Sequence, residues 1–350
     1  MAIFNYSKIS KNKQFYIIAE IGVNHECSIK SAKKMISEAK KNGAHAAKFQ
    51  TYKAGKLASK NSKAYWDIKK EKTKSQFELF SKFDKFSETD YKILSNYCKK
   101  LKIDFLSTPF DLDAIDFLNP LVPLFKISSS DITNVPLLRK ISKKGKPVLL
   151  STGASAENEI KFAIKNLQFY KKIKIVLMHC ILNYPTQNVD ANLLMISHLK
   201  KKFKNFIIGY SDHTTPSKGM LNISTAYTMG ANVIEKHFTL NKKKLGNDHY
   251  HSMDPKDLKT IVDNINKIIQ LKGNSNNKKY ISSEVISRKN ARRGIFIKNT
   301  IKKNTKISEN HLITLRPNSG IPAEKWNEVL KKKVKKDLKA GHNLKWSDIK

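Results

Sequence analysis

Phe206-Ile207-Ile208-Gly209-Tyr210-Ser211-Asp212-His213 and, a little further on, Val233-Ile234-Glu235-Lys236-His237 decide how this chain folds. Each is an apolar, β-branched run closed by polar residues, which is how neighbouring strands of a parallel barrel end. Side chains alternate along a strand. Ser211 therefore shares a face with His213, and Glu235 shares one with His237. Two imidazoles converge at one rim, and such a pair points to a divalent metal.

Six earlier runs have the same character: residues 15–21, 44–51, 103–108, 124–128, 147–152 and 173–180, which join 206–212 and 232–239 to make eight. The connectors between most of them read as helices. In the first, Ser28 is placed to cap a helix carrying Ile29, Ala32, Met35, Ile36 and Ala39 at helical spacing, with Gly43 at its end. Eight strands alternating with helices over about 250 residues is the count of a (β/α)8 TIM barrel, of class α/β. Polar residues recur at the strand ends: Glu20, Lys48 with Gln50, Thr108, Lys126 with Ser128, Ser151, Ser211 with His213, and Glu235 with His237. In a barrel those ends form the catalytic face.

Residues 1–272 are thus expected to form the barrel and 273–286, rich in Asn, Ser and Lys, a linker. Residues 287–350 are expected to form a small β-rich domain. They contain a degenerate repeat, Ile301 through Leu312 and Leu338 through Ile349, with aliphatics at matching offsets. Residues 52–85, after the second strand, are long for a barrel connection and read either as a lid or as a plain insertion.

The formal net charge of +38 raises the question of nucleic acid. Only five of the 67 basic residues are arginine (Arg139, Arg288, Arg292, Arg293, Arg316), and the lysines are spread along the chain. Readers of phosphate and base edges favour the arginine fork, so the charge reads as solvated lysine faces. Neither nucleic acid nor membrane is expected as a partner. Cys27, Cys98 and Cys180 lack disulfide or metal spacing, and no apolar run has signal or membrane length, so a cytoplasmic protein is expected.

Lys48 and Lys126 point inward by register, with Thr108, Ser128, Ser129, Ser130 and Ser151 around the same rim. Ammonium groups among hydroxyls bind a small polyanion bearing phosphate or carboxylate. Lys126 is equally placed to form a Schiff base, as in aldolases of this fold. The rim lysines beside two histidines favour an anion with a metal. Imidazole and oxygen ligands accept Mn²⁺, Zn²⁺, Co²⁺ or Mg²⁺.

Eight ordered motifs carry a resemblance: Ile18-Ala19-Glu20-Ile21-Gly22-Val23-Asn24-His25, Ala47-Lys48-Phe49-Gln50-Thr51, Leu106-Ser107-Thr108-Pro109-Phe110, Phe125-Lys126-Ile127-Ser128-Ser129, Leu150-Ser151-Thr152-Gly153, Tyr184-Pro185-Thr186, Gly209-Tyr210-Ser211-Asp212-His213-Thr214 and Ile234-Glu235-Lys236-His237-Phe238-Thr239. Together the chain resembles the sialic acid (N-acetylneuraminate) synthases. Its tail, with Arg316-Pro317-Asn318-Ser319-Gly320, resembles their C-terminal SAF (antifreeze-like) domain. The resemblance implies an enzyme that condenses phosphoenolpyruvate with an N-acetylmannosamine-type sugar to a nine-carbon 2-keto acid, releasing phosphate.

It further implies roles for residues. Lys48, Gln50, Thr108, Lys126, Ser129, Ser151 and Ser211 match positions that hold phosphoenolpyruvate, and Glu20 matches a proton-managing acid. His213 and His237 match ligands of a divalent metal, Mn²⁺ first, with Mg²⁺ or Co²⁺ as alternatives. Asp131, Tyr184 and Asp248 match positions facing the sugar. Arg316 matches an arginine that reaches the sugar of a partner subunit, implying a domain-swapped homodimer. Two positions differ from the family's pattern: Leu182 stands where a polar residue is usual, and Asn247 where many members have Pro, followed by a distinctive His249-Tyr250-His251. An apolar Leu182 suits a deoxygenated acceptor such as 2,4-diacetamido-2,4,6-trideoxymannose, the sugar of legionaminic acid synthases.

Overall fold

The structure, a computed structural model, describes residues 2–11, 14–66, 68, 71–246 and 248–350. It divides into two compact units, Met1–Lys272 and Gly273–Lys350.

The first unit holds eight strands: β1 (Tyr16–Gly22), β2 (Ala46–Thr51), β3 (Asp104–Pro109), β4 (Phe125–Ile127), β5 (Val148–Ser151), β6 (Ile175–His179), β7 (Ile207–Asp212) and β8 (Val233–His237). Every ladder among them is parallel, and the hydrogen-bonded order runs β3-β2-β1-β8-β7-β6-β5-β4. β3 and β4 pack side by side and nearly close the ring. This is the expected (β/α)8 architecture. The helix after β1, Ile29–Lys41, begins where Ser28 accepts a hydrogen bond from the Ser31 amide and buries Ala32, Met35, Ile36 and Ala39. The last barrel helix spans Pro255–Lys272.

The alternation along each strand sorts the interior. Ile18, Ala46, Leu106, Leu124, Leu149, Val176, Ile207 and Val233 pack together inside the ring, with Ile9 of the short helix Tyr6–Ser10 against them. Their strand neighbours, such as Ile17, Ala47, Phe105, Phe125, Leu150, Leu177, Ile208 and Ile234, form the larger core with the helices. Two residues beyond six of these inner aliphatics, the same face presents Glu20, Lys48, Thr108, Lys126, Ser151 and Glu235, while β6 and β7 place Met178 and Gly209 there. The barrel is therefore filled with hydrocarbon at one end and polar at the other.

Gly209 is the inward residue of β7 that makes room for this packing. A Cβ there would lie 2.2 Å from Met178 Sδ and 2.7 Å from the Val233 carbonyl oxygen. Met178 can turn aside, but the neighbouring strand's backbone cannot. Gly209→Ala is expected to cost about 1–3 kcal/mol by overpacking, read from the shift of the urea midpoint; an unchanged midpoint would show that β7 and β8 yield freely.

In the second unit, β9 (Gly294–Ile297) and β10 (Leu312–Leu315) pair antiparallel. The two arms of the sequence repeat meet, since Ile301 and Leu338 exchange backbone hydrogen bonds at 2.9 Å in both directions. Ile295, Ile301, Ile307, Leu312, Val334, Leu338 and Leu344 make a core of their own. The stretch after Gly273 includes a short exposed helix, Val285–Ala291. Among the described residues, no helix is long and apolar enough to cross a membrane.

Candidate functional site

The polar end of the barrel opens into a cavity of about 610 Å³. Glu20, Lys48, Gln50, Thr108, Lys126, Ser129, Ser151, Ser211, His213 and His237 line it, as do Asp131, Tyr184, Leu182 and Asp248. Every candidate site residue of the barrel is thus brought to one place. Arg316 belongs to the second unit, where it is exposed just after β10. Asn247 lies outside the described residues.

At the floor, charges interlock. Lys48 Nζ lies 2.8 Å from Glu20 Oε2 and 3.7 Å from Glu235 Oε2, and donates to Thr108 Oγ1 at 3.1 Å. Lys126 Nζ lies 3.4 Å from Glu235 Oε1, to which Ser211 Oγ also donates at 2.9 Å. Gln50 Nε2 donates to Glu20 Oε1 at 3.2 Å. Register makes this possible: Glu20 is paired with Lys48 across β1 and β2, and Ser211 with Glu235 across β7 and β8. Burial disfavours the Lys48 ammonium, but Glu20 and Glu235 outweigh it and raise its pKa.

Glu235 was legible at a strand end, yet the sequence gives no sign that it bridges both lysines. Burial favours its neutral form; Lys126, then Lys48, then the Ser211 hydroxyl reverse this and hold the carboxyl down at about 2. A carboxyl whose folded pKa is depressed adds stability that is present above its unfolded value of 4.5 and lost as pH falls towards 2. Unfolding free energy is expected to drop across that window, and Glu235→Gln to flatten the drop; parallel curves for the two proteins would remove Glu235 from the balance.

Beside the floor, Ser129 Oγ accepts from the Gly153 amide at 2.9 Å and sits 3.0 Å from Cys180 Sγ. Asp131 Oδ1 accepts from Asn134 Nδ2 at 3.0 Å, while Oδ2 is buried without a hydrogen-bond partner among the described residues, and burial raises the pKa of this carboxyl.

The histidines stand along the cavity wall. The His213 and His237 ring centroids are 5.6 Å apart, and the Tyr184 ring packs on His213 at 4.2 Å. His213 Nδ1 lies 2.7 Å from the Ile181 carbonyl, so Nε2 is the nitrogen left to the cavity. Burial lowers the His213 pKa to about 4, which keeps the ring neutral as a ligand must be. His237 Nδ1 lies 3.1 Å from Asp248 Oδ2, and Asp248 raises the His237 pKa against the effect of burial. One residue not foreseen joins them. His251, brought in by the loop after β8, places a ring nitrogen 3.7 Å from Asp248 Oδ1. Its only sequence signal was the unusual His-Tyr-His that follows Asp248.

Residues 52–85 supply the outer wall. The short helices Ala54–Leu57 and Gln76–Phe83 lie within them, and Tyr52, Leu57, Tyr65, Trp66, Phe80 and Phe83 face the cavity. The connection is therefore part of the site.

Comparison with known proteins follows the same lines. The NeuB family model matches residues 35–277, and the SAF domain model matches residues 292–350. An N,N'-diacetyllegionaminic acid synthase of Campylobacter jejuni is 40% identical over 332 residues, covering 93% of this chain and 98% of that protein. The protein of that name from Legionella pneumophila is 38% identical over 341 residues, covering 95% and 94%. A solved N-acetylneuraminic acid synthetase of Leptospira borgpetersenii superposes with a TM-score of 0.69 at 32% identity, covering 79% of this chain and 90% of that one. A barrel whose polar end gathers two lysines, two strand-end histidines and their carboxylates, followed by a SAF domain, places this chain in the NeuB family.

Proposed function

We propose that the protein is a nonulosonic acid synthase: it joins phosphoenolpyruvate to an N-acetylated amino-sugar aldehyde and releases phosphate. The observation that carries this reading is the pair of buried ammonium groups, Lys48 and Lys126, sharing Glu235 within a ring of hydroxyls, directly beside the His213–His237 wall. Such a floor suits a small dianion or trianion. The wall suits a carbonyl.

Phosphoenolpyruvate is held by Lys48, Gln50, Thr108, Lys126, Ser129, Ser151 and Ser211. C3 of the enol attacks the aldehyde carbon, forming the new C–C bond and leaving an oxocarbenium at C2. Water adds at C2, and the tetrahedral intermediate breaks its C–O bond to phosphate, giving the 2-keto acid. Glu20, ion-paired to Lys48, takes and returns the protons of these steps. The His213 and His237 rings of the wall fit a divalent metal, which when bound would supply Lewis-acid polarisation of the aldehyde oxygen. Asp131 and Tyr184 orient the sugar, and Arg316 is assigned to the sugar site of a second copy in a domain-swapped dimer.

A specific observation favours a trideoxy acceptor over N-acetylmannosamine. Leu182 lines the cavity with an apolar side chain that offers no partner to an acceptor hydroxyl, and near-full-length relatives are named legionaminic acid synthases. An acceptor panel with phosphoenolpyruvate and Mn²⁺ decides, with phosphate release as the readout. Faster turnover of 2,4-diacetamido-2,4,6-trideoxymannose is expected; preference for N-acetylmannosamine would reverse the assignment, and no release with either would sink the synthase reading.

A further inference from the structure

We propose that His251 joins His237 and Asp248 as a protein ligand of the metal centre, adding an imidazole and a carboxylate to the His213–His237 pair. The inference rests on the metal-assisted reading above and sharpens it. It also moves Asp248 from the sugar to the metal.

Burial without partners is the first argument. His251 is fully buried, and neither ring nitrogen has a hydrogen-bond partner among the described residues. Buried polar atoms are normally satisfied. The neighbouring His249, nearly as buried, differs at one nitrogen: its Nδ1 meets Thr239 Oγ1 at 2.8 Å, while its Nε2, 3.5 Å from Glu26 Oε1, also has no hydrogen bond among the described residues. The loop thus anchors His249 at one ring nitrogen and His251 at neither.

Geometry is the second. One ligand atom each from His237, Asp248 and His251 lies within 4.8 Å of the others. Two donors bound at about 2.1 Å to one ion lie no more than about 4.2 Å apart, so a small contraction seats an ion among all three. The imidazole rings of His237 and His251 are 5.0 Å apart and steeply inclined, which lets a nitrogen of each face a common point.

The loop that carries Asp248 and His251 is also fixed in place. Asn24 Nδ2 donates to the Phe238 carbonyl and to Ser252 Oγ, both at 3.0 Å, and Ser252 Oγ in turn donates to the Asp248 carbonyl. Glu26 binds Lys244 as well as His249. These contacts tie the segment after β1 to the segment after β8, so the three donors are held near one another before any ion arrives.

A further nitrogen donor shifts metal preference. Imidazole-rich sites favour Co²⁺ and Zn²⁺ over Mg²⁺, whose preference is for oxygen. The alternative role for His251 is packing alone, since its ring also touches Tyr184 at 5.7 Å and Tyr250 at 4.9 Å. His251→Phe keeps that ring and removes the nitrogens.

The test titrates Co²⁺ into metal-free full-length protein, following the visible absorption band, with circular dichroism to confirm folding. His251→Phe and His251→Gln are expected to weaken Co²⁺ binding by at least about 10-fold, the lower end of what losing even an outer partner costs, and to change the band, while Mg²⁺ binding moves less. Wild-type affinity and an unchanged band in folded His251→Phe would overturn the proposal, even with metal-dependent phosphate release intact. Weakened Co²⁺ binding in a protein that releases no phosphate from phosphoenolpyruvate would leave the site standing and discard the synthase reading instead.

Discussion

Asp212→Ala is expected to lower the unfolding free energy by about 3–5 kcal/mol, the cost of leaving one member of a buried ion pair alone. Asp212 Oδ2 and Lys236 Nζ lie 2.7 Å apart, and both side chains are fully buried. They are register partners on β7 and β8, on the faces opposite Ser211 and Glu235. Tyr210 OH donates to Asp212 at 2.8 Å and Lys236 donates to the Thr214 carbonyl at 2.6 Å, so the pair sits within a satisfied network. Burial works against the Asp212 charge, and Lys236 more than compensates, lowering the carboxyl's pKa. Removing the carboxylate leaves a fully buried ammonium with the Thr214 carbonyl as its hydrogen-bond partner among the described residues. The double variant Asp212→Ala/Lys236→Met is expected to recover most of the loss, because an apolar side chain of similar length carries no desolvation penalty. Denaturation followed by circular dichroism measures both; a single variant within about 1 kcal/mol of wild type would mean that water reaches the pair.

Lys126→Met is expected to lower kcat/KM for phosphoenolpyruvate about 100- to 1000-fold, consistent with the several kcal/mol that truncating one member of a buried, hydrogen-bonded charge pair costs. The loss has two parts. The substrate loses a charged donor, and Glu235 loses the closer of its two ammonium partners, so a carboxylate compensated only by Lys48 and the Ser211 hydroxyl faces an incoming anion. Adding Glu235→Gln to Lys126→Met is therefore expected to restore part of the affinity. Initial rates of phosphate release against phosphoenolpyruvate concentration separate KM from kcat, and an effect confined to the sugar's KM would move Lys126 out of the anion floor. Borohydride in the presence of pyruvate is expected to trap no adduct on the wild-type protein; a stable adduct at Lys126 would revive the imine reading.

How much of this was visible in the residues follows from range. Each strand is a local object: Ile207 to Asp212 and Val233 to His237 announce themselves by β-branching and a polar close, and alternation alone assigns Ser211 and Glu235 inward. The anion floor followed, because parallel register carries inward residues of adjacent strands to the same height. The pairing of Asp212 with Lys236 is a register fact too, legible only once β7 and β8 are known neighbours. His251 and Asp248 are different. They sit beyond the strand, where no period fixes direction, and their meeting with His237 depends on Asn24 and Glu26 more than 200 residues away in sequence. The wall built by residues 52–85 was opaque for the same reason.

The carboxylates Glu20 and Glu235 give the lysine floor a consequence for how substrate is caught. Two ammonium groups and two carboxylates sum to zero, so the innermost chamber exerts little pull at a distance. Long-range attraction of an anion falls to the lysine coat of a chain with net charge +38, and added salt screens that coat over about 8–10 Å. Capture and commitment thus obey different electrostatics: ionic strength slows the approach of phosphoenolpyruvate, while the chamber that holds it, buried and internally balanced, is nearly indifferent to salt.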